Sequence, residues 1–148
     1  MTIRMVTSAD AQDIALCLEP LGYATPASLI REKLLVLRNA SSDAMWIYID
    51  DGMGEAAGCV SLHAIPLWHE SGMLARITAL SVRTMYQRQG VGRALLATAQ
   101  SWALAHGARR IEVTSDNHRE NAHSFYMAQG YAPCSRRFIK GVLAPASR

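Results

Sequence analysis

The stretch Leu80-Ser81-Val82-Arg83-Thr84-Met85-Tyr86-Gln87-Arg88-Gln89-Gly90-Val91-Gly92-Arg93-Ala94-Leu95-Leu96 runs an apolar, β-branched segment through a polar turn into a strongly helical run. Two glycines at such a junction let the backbone approach a bulky anion closely. The first turn of the helix then offers unpaired N–H donors and the positive end of its dipole, which together form a phosphate cradle. The cradle comprises Gln87, Arg88, Gln89, Gly90, Val91, Gly92 and Arg93, and its two arginines could add charge-assisted bonds to phosphate oxygens. Two other glycine motifs fit poorly. No Lys-Ser/Thr follows the last glycine, as a nucleotide P-loop requires, and the three-glycine dinucleotide fingerprint is incomplete.

A second stretch, Asn117-His118-Arg119-Glu120-Asn121-Ala122-His123-Ser124-Phe125-Tyr126-Met127-Ala128-Gln129-Gly130-Tyr131, reads as a short helix between Arg119 and Gln129. Gly130 stands where a left-handed cap is wanted. Taken together, the two stretches resemble the signatures of the GNAT superfamily of N-acetyltransferases. The first is similar to that family's acetyl-CoA pyrophosphate loop, Gln/Arg-x-x-Gly-x-Gly/Ala after a hydrophobic strand. The second is similar to the helix that ends in Phe/Leu-Tyr, three residues, then Gly-Phe/Tyr.

The resemblance implies acetyl-CoA as co-substrate, with no metal, and an acetyl group moved to the primary amine of a small molecule or peptide. It implies that the strand before the cradle splays from its neighbour, so that the main chain of Leu80, Ser81 and Val82 pairs with the pantetheine arm as an added strand would. A backbone N–H at Leu80 or Ser81 would polarise the thioester carbonyl. Tyr126 matches the tyrosine placed beside the sulfur and is the candidate acid for the leaving thiolate. Asn117 and Arg119 are assigned to the cofactor side, Arg119 standing where the family often has asparagine.

The base departs from the family pattern. Many relatives carry a glutamate on the central strand a few residues before the cradle, whereas Ala75-Arg76-Ile77-Thr78-Ala79-Leu80 holds no carboxylate. His63 and His69 are the candidates, since imidazole suits proton transfer near neutral pH, along with a water relay ending on Glu70. Arg76 suggests an acceptor bearing a carboxylate or phosphate. The missing carboxylate also leaves open a catalytically silent acyl-CoA sensor or regulatory module.

The chain has 148 residues, half of them hydrophobic and 18% charged, which suits one folded domain over 1–148 rather than a disordered tail. Neither a membrane-length apolar run nor a signal-peptide layout appears, and cytoplasmic residence is expected. Cys17, Cys59 and Cys134 form no metal or disulfide pattern and read as small buried hydrophobes. Residues 1–75 hold four Lys/Arg against nine Asp/Glu, a net −5, whereas residues 76–148 hold eleven against three, a net +8. The basic half contains the cradle, and an acidic half would favour a cationic amine. No RNA-binding aromatic signature, zinc spacing or basic recognition helix points to nucleic acid. A homodimer is expected by analogy alone.

The remaining segments read as strand Thr2–Val6, a helix capped by Thr7 or Ser8 and closed at Leu21-Gly22-Tyr23, and a helix from Pro26 to Arg38 with Leu29, Ile30, Leu34 and Leu37 on one stripe. Strands are expected at Met45–Ile49, Ala57–Ile65 and Met73–Val82, a helix to His106, a buried strand at Arg110–Thr114, and a closing strand at Tyr131–Lys140. The expected fold is α/β (α+β): a mixed, mostly antiparallel sheet of six to seven strands flanked by four helices, in the order β-α-α-β-β-β-α-β-α-β.

Overall fold

The computed structural model describes residues 1–115 and 119–143. The chain divides into two compact units, one over residues 1–114 and one from Ser115 onward.

In the first unit, β1 (Thr2–Met5) leads through a 3-10 turn (Ser8–Asp10) into α1 (Ala11–Leu18), a second 3-10 turn (Glu19–Leu21) and α2 (Ala27–Leu37). Then come β2 (Asp43–Asp50), β3 (Glu55–Pro66), β4 (Met73–Val82), α3 (Val91–Ala105) and β5 (Ala108–Val113). The sheet runs in chain order, antiparallel from β1 to β4, with β5 parallel to β4. Parallel neighbours need a crossover, and α3 supplies it.

Local chemistry sets the element ends. Asp10 accepts the Thr7 backbone N–H at 2.7 Å and both Arg4 guanidinium nitrogens at 2.8 Å, tying β1 to the start of α1. Gly22 turns the chain with φ near 90°, a left-handed conformation that costs glycine little. Pro26 pre-sets φ at the N-cap of α2.

The sheet alternates between two apolar layers. Met45, Ile47 and Cys59 share a core with Ala11, Ile14 and Cys17 of α1 and Ile30 and Leu34 of α2. Trp46, on the opposite face by strand alternation, meets Trp102 of α3 edge-on at 6.1 Å between ring centroids. Burial of each large apolar side chain contributes about 1.5–3 kcal/mol, so these layers hold the sheet between its helices. Leu29 does not join the α2 stripe; it is exposed, and Ile30 and Leu34 carry the contact.

In the second unit, α4 (Glu120–Ala128) ends as expected at Gly130, whose φ is 91°. The Tyr131 N–H closes the end on the Tyr126 carbonyl at 3.0 Å. Three expectations are corrected. The closing strand Tyr131–Lys140 does not form, so the described sheet has five strands rather than six or seven, and the described element order ends at α4. Pro133 lacks an N–H, Ser135 is left-handed at φ 62°, and the apolar residues Phe138 and Ile139 are exposed, so the segment lacks both the backbone and the burial of a strand there. β5 is half-buried at one sheet edge instead of enclosed. Cys134 is exposed, unlike the buried Cys17 and Cys59. Among the described residues, no helix is long and apolar enough to cross a membrane.

Candidate functional site

The glycine loop folds as an open helix N-terminus. A 3-10 turn (Thr84–Tyr86) brings the chain out of β4, and Gly90 caps α3 with φ near 84°. Arg88 is also left-handed, at φ 62°, an uncommon state for a side-chain-bearing residue. Gln87 and Gln89 donate from their side-chain amides to the Val82 and Met85 carbonyls at 3.0 and 3.1 Å, bracing the loop from behind. Ala94 makes the first helical bond, to the Gly90 carbonyl, so the N–H groups of Val91, Gly92 and Arg93 have no partner within the helix. No side chain caps this end and its first turn holds no carboxylate. Arg88 and Arg93 are exposed and, among the described residues, pair with no carboxylate. A Cβ added at Gly90 would meet no heavy atom of the described residues within 4 Å. An unneutralised positive pole of this shape fits a pyrophosphate.

Behind the loop, β4 offers a free edge. Its register with β5 ends at Ile77–Val113, whereas β4 continues to Val82. Among the described residues, Ala79, Leu80, Ser81 and Val82 thus pair with β3 alone. A bulge falls at Thr78, which is skipped between the pairs Ser61–Ala79 and Leu62–Ile77; such bulges re-aim side chains and bend a strand. Gly58 permits the β3–β4 approach here, since a Cβ on it would lie 2.7 Å from the Ser81 carbonyl. Ser81 is buried and its hydroxyl has no hydrogen-bond partner among the described residues.

Where β4 and β5 are still paired, one register row crosses four strands: Asp43 on β2, His63 on β3, Arg76 on β4 and Glu112 on β5. Alternation puts the row on the face that carries α1 and α2. His63 Nδ1 lies 2.8 Å from Asp43 Oδ1, and the Ser42 hydroxyl donates to Asp43 Oδ2 at 3.1 Å. Arg76 donates from Nε and an Nη, both 2.5 Å from Glu112 Oε1. Thr78 and Ser61 extend the polar face with a 2.9 Å hydroxyl contact. Sequence reasoning overlooked Glu112 and Asp43; only pairing of β5 to β4, and of β2 to β3, brings their carboxylates here.

His69 stands apart on the Pro66–Gly72 bend, 71% exposed and 3.7 Å from Glu70. Glu70 itself forms an ion pair with Arg110 at 2.7 Å. A cavity of about 370 Å³ lies in the corner of α1 and α2, with Gln12 and Glu19 as its larger polar lining.

In the second unit, Tyr126 is buried, with its ring 5.4 Å from Phe125 and 5.8 Å from Tyr131. Burial raises the phenol pKa above the usual tyrosine value, the Arg119 charge opposes that rise, and Tyr131 adds to it. The phenol therefore stays protonated at neutral pH, as an acid must. Arg119 precedes α4, and Asn117 lies outside the described residues.

A one-sided five-strand register, a strand freed beyond its neighbour and an open helix end define a recognisable class. Residues 12–131 match the profile of the acetyltransferase (GNAT) family, and the chain belongs to that family. It is 34% identical over 89 residues to the aminoalkylphosphonate N-acetyltransferase of Salmonella typhimurium, a match that takes in 60% of this chain and 58% of the relative's length. Its fold is similar to that of a putative acetyltransferase from Agrobacterium tumefaciens, at TM-score 0.84 and 14% identity over 95% of this chain and 99% of that one. It is similar too to AAC(6')-Iy in complex with the bisubstrate analog CoA-S-monomethyl-acetylneamine, at TM-score 0.83 and 16% identity over 97% and 98%. At these identities the structural likeness concerns the fold.

Proposed function

We propose that the protein is an acetyl-CoA-dependent N-acetyltransferase acting on the primary amine of a small molecule or peptide. One observation carries the reading: the edge of β4 that β5 leaves unpaired beyond Ile77 leads, through the loop at 83–90, to an N-terminus of α3 that no described side chain caps. A ligand with an extended amide-bearing arm and a pyrophosphate matches that sequence of donors and acceptors.

In this reading the backbone of Leu80, Ser81 and Val82 holds the arm straight, and the loop from Gln87 to Arg93 takes the phosphates. Gln87 and Gln89 act by bracing the loop, Arg88 and Arg93 by charge. Arg119, with Asn117, is assigned to the cofactor side, and Tyr126 protonates the departing thiolate. Acetyl-CoA supplies the acetyl group as an activated thioester. The acceptor we favour is a small amine with an anionic group, as the Salmonella relative's name describes; Arg76 is the cation for it, and such a group must compete with Glu112 for the guanidinium. We assign the chain to the cytoplasm as one functional domain, in keeping with its free thiols, and infer neither a membrane nor a nucleic-acid partner. A homodimer is part of the same proposal.

The test is an acetyl-CoA turnover screen over aminoalkylphosphonates, aminoglycosides, polyamines, amino acids and peptide N-termini, with products identified by mass spectrometry. CoA release coupled to acetylation of one amine class is the expected result. Tight acetyl-CoA binding with transfer to none would favour the second reading, a silent sensor, which Arg76 in place of a carboxylate also supports.

A further inference from the structure

We propose that His63, oriented by Asp43, is the general base that deprotonates the acceptor ammonium; this rests on the N-acetyltransferase reading above. The strand that carries a carboxylate in many relatives here carries Arg76, which has no acceptor to offer. The nearest carboxylate, Glu112, is held by two contacts of 2.5 Å to that same guanidinium. His63 is the next residue in the row.

Its hydrogen bonds select the useful tautomer. A carboxylate only accepts, so at 2.8 Å from Asp43 Oδ1 the His63 Nδ1 carries a hydrogen, and in the neutral ring the lone pair falls on Nε2. The Ser42 hydroxyl fixes the other Asp43 oxygen. Nε2 has no partner among the described residues, and the side chain is 41% exposed, open to a substrate. The row stands one step before the last β4–β5 pair, Ile77–Val113. Across the bulge Leu80 faces Val60, three residues from His63 on β3, roughly 10 Å of extended strand, which the His63 side chain, the acceptor amine and one bridging water can span. The charges beside His63 in the register are Asp43 from β2 and Arg76 from β4 with its partner Glu112 on β5, and the turn packed against β4 carries Glu19. On α1, the Asp13 charge acts on Arg4.

The ammonium gives one proton to Nε2, directly or through the water. The freed lone pair attacks the thioester carbonyl carbon, forming the C–N bond as the C–S bond breaks. CoA leaves as a thiolate and takes a proton from Tyr126, which the nitrogen's second proton restores through water, and His63 releases the first to solvent.

Two measurements test this. Nitrogen NMR of the His63 ring should show hydrogen on Nδ1 and a bare Nε2 in the wild type, with that preference lost in Asp43→Asn; hydrogen fixed on Nε2 would overturn the proposal without any assay. In turnover, His63→Ala should lower kcat for an alkylammonium acceptor about 10²–10⁴-fold, leave the KM for acetyl-CoA unchanged, and remove the rising pH limb. Asp43→Asn should cost about 10–100-fold, the range for a residue that orients another. An alkoxyamine, already neutral at assay pH, should be acetylated nearly as well by His63→Ala as by wild type. Equal losses for both acceptors would mean a structural role and overturn the base assignment alone, whereas an inactive but acetyl-CoA-binding wild type would overturn the N-acetyltransferase reading and this inference with it.

Discussion

Tyr126 and Asp10 are both buried, and their surroundings push them in opposite directions. The Tyr126 phenol is raised first of all by burial, so it holds its proton through neutral and mildly alkaline pH and begins to lose it only above the ordinary tyrosine value of about 10. If it protonates the thiolate, kcat should persist to that point, and Tyr126→Phe should lower kcat about 10²–10⁴-fold with acetyl-CoA affinity unchanged. Full turnover in the mutant would leave Tyr126 as a packing residue. The Asp10 carboxyl is held below the usual aspartate range mainly by the Arg4 hydrogen bonds, against the cost of burial. A lowered folded-state pKa means that its contribution is complete above about pH 4 and fades as the pH falls through the folded value. Asp10→Ala should therefore destabilise the fold by about 1–3 kcal/mol at neutral pH, with the gap to wild type closing in acid. Denaturant titrations at both pH values measure it, and a gap that widens in acid would contradict the assignment.

The elements legible in the sequence are those whose ends are written in local chemistry. Met73–Val82 was readable to the residue because β-branched and apolar positions run between Gly72 and the polar Arg83–Gln89 turn. α3 was readable from Gly90 and Gly107, both left-handed in the structure. Tyr131–Lys140 misled: Pro133 offers no N–H and Ser135 is left-handed, and the segment forms no strand. The row Asp43–His63–Arg76–Glu112 was legible only in part, since cross-strand register is a long-range property that no local spacing encodes. The α3 terminus has its own test. Gly90→Glu forces a side chain into a left-handed backbone, costing about 1–2 kcal/mol, and puts a carboxylate at the positive pole. Calorimetry should find acetyl-CoA binding weakened at least about tenfold, since lost dipole and hydrogen-bond terms together exceed 1.4 kcal/mol. Unchanged affinity in a folded mutant would remove the loop from the binding site.

For the chain as a whole, the family was readable because its two signatures are short and local, while the acceptor was not, because no comparable local motif marks it. The basic charge excess from residue 76 onward includes the cradle arginines and suits a polyanionic co-substrate. The central claim is that acetyl-CoA lies along the free edge of β4 and ends on the N-terminus of α3. Hydrogen–deuterium exchange with and without acetyl-CoA tests it most directly, because free backbone amides report their own occupation. The account predicts new protection concentrated in residues 78–82 and 88–93. Saturating acetyl-CoA that leaves both segments exchanging as before, or protects some other part of the chain in their place, would contradict it.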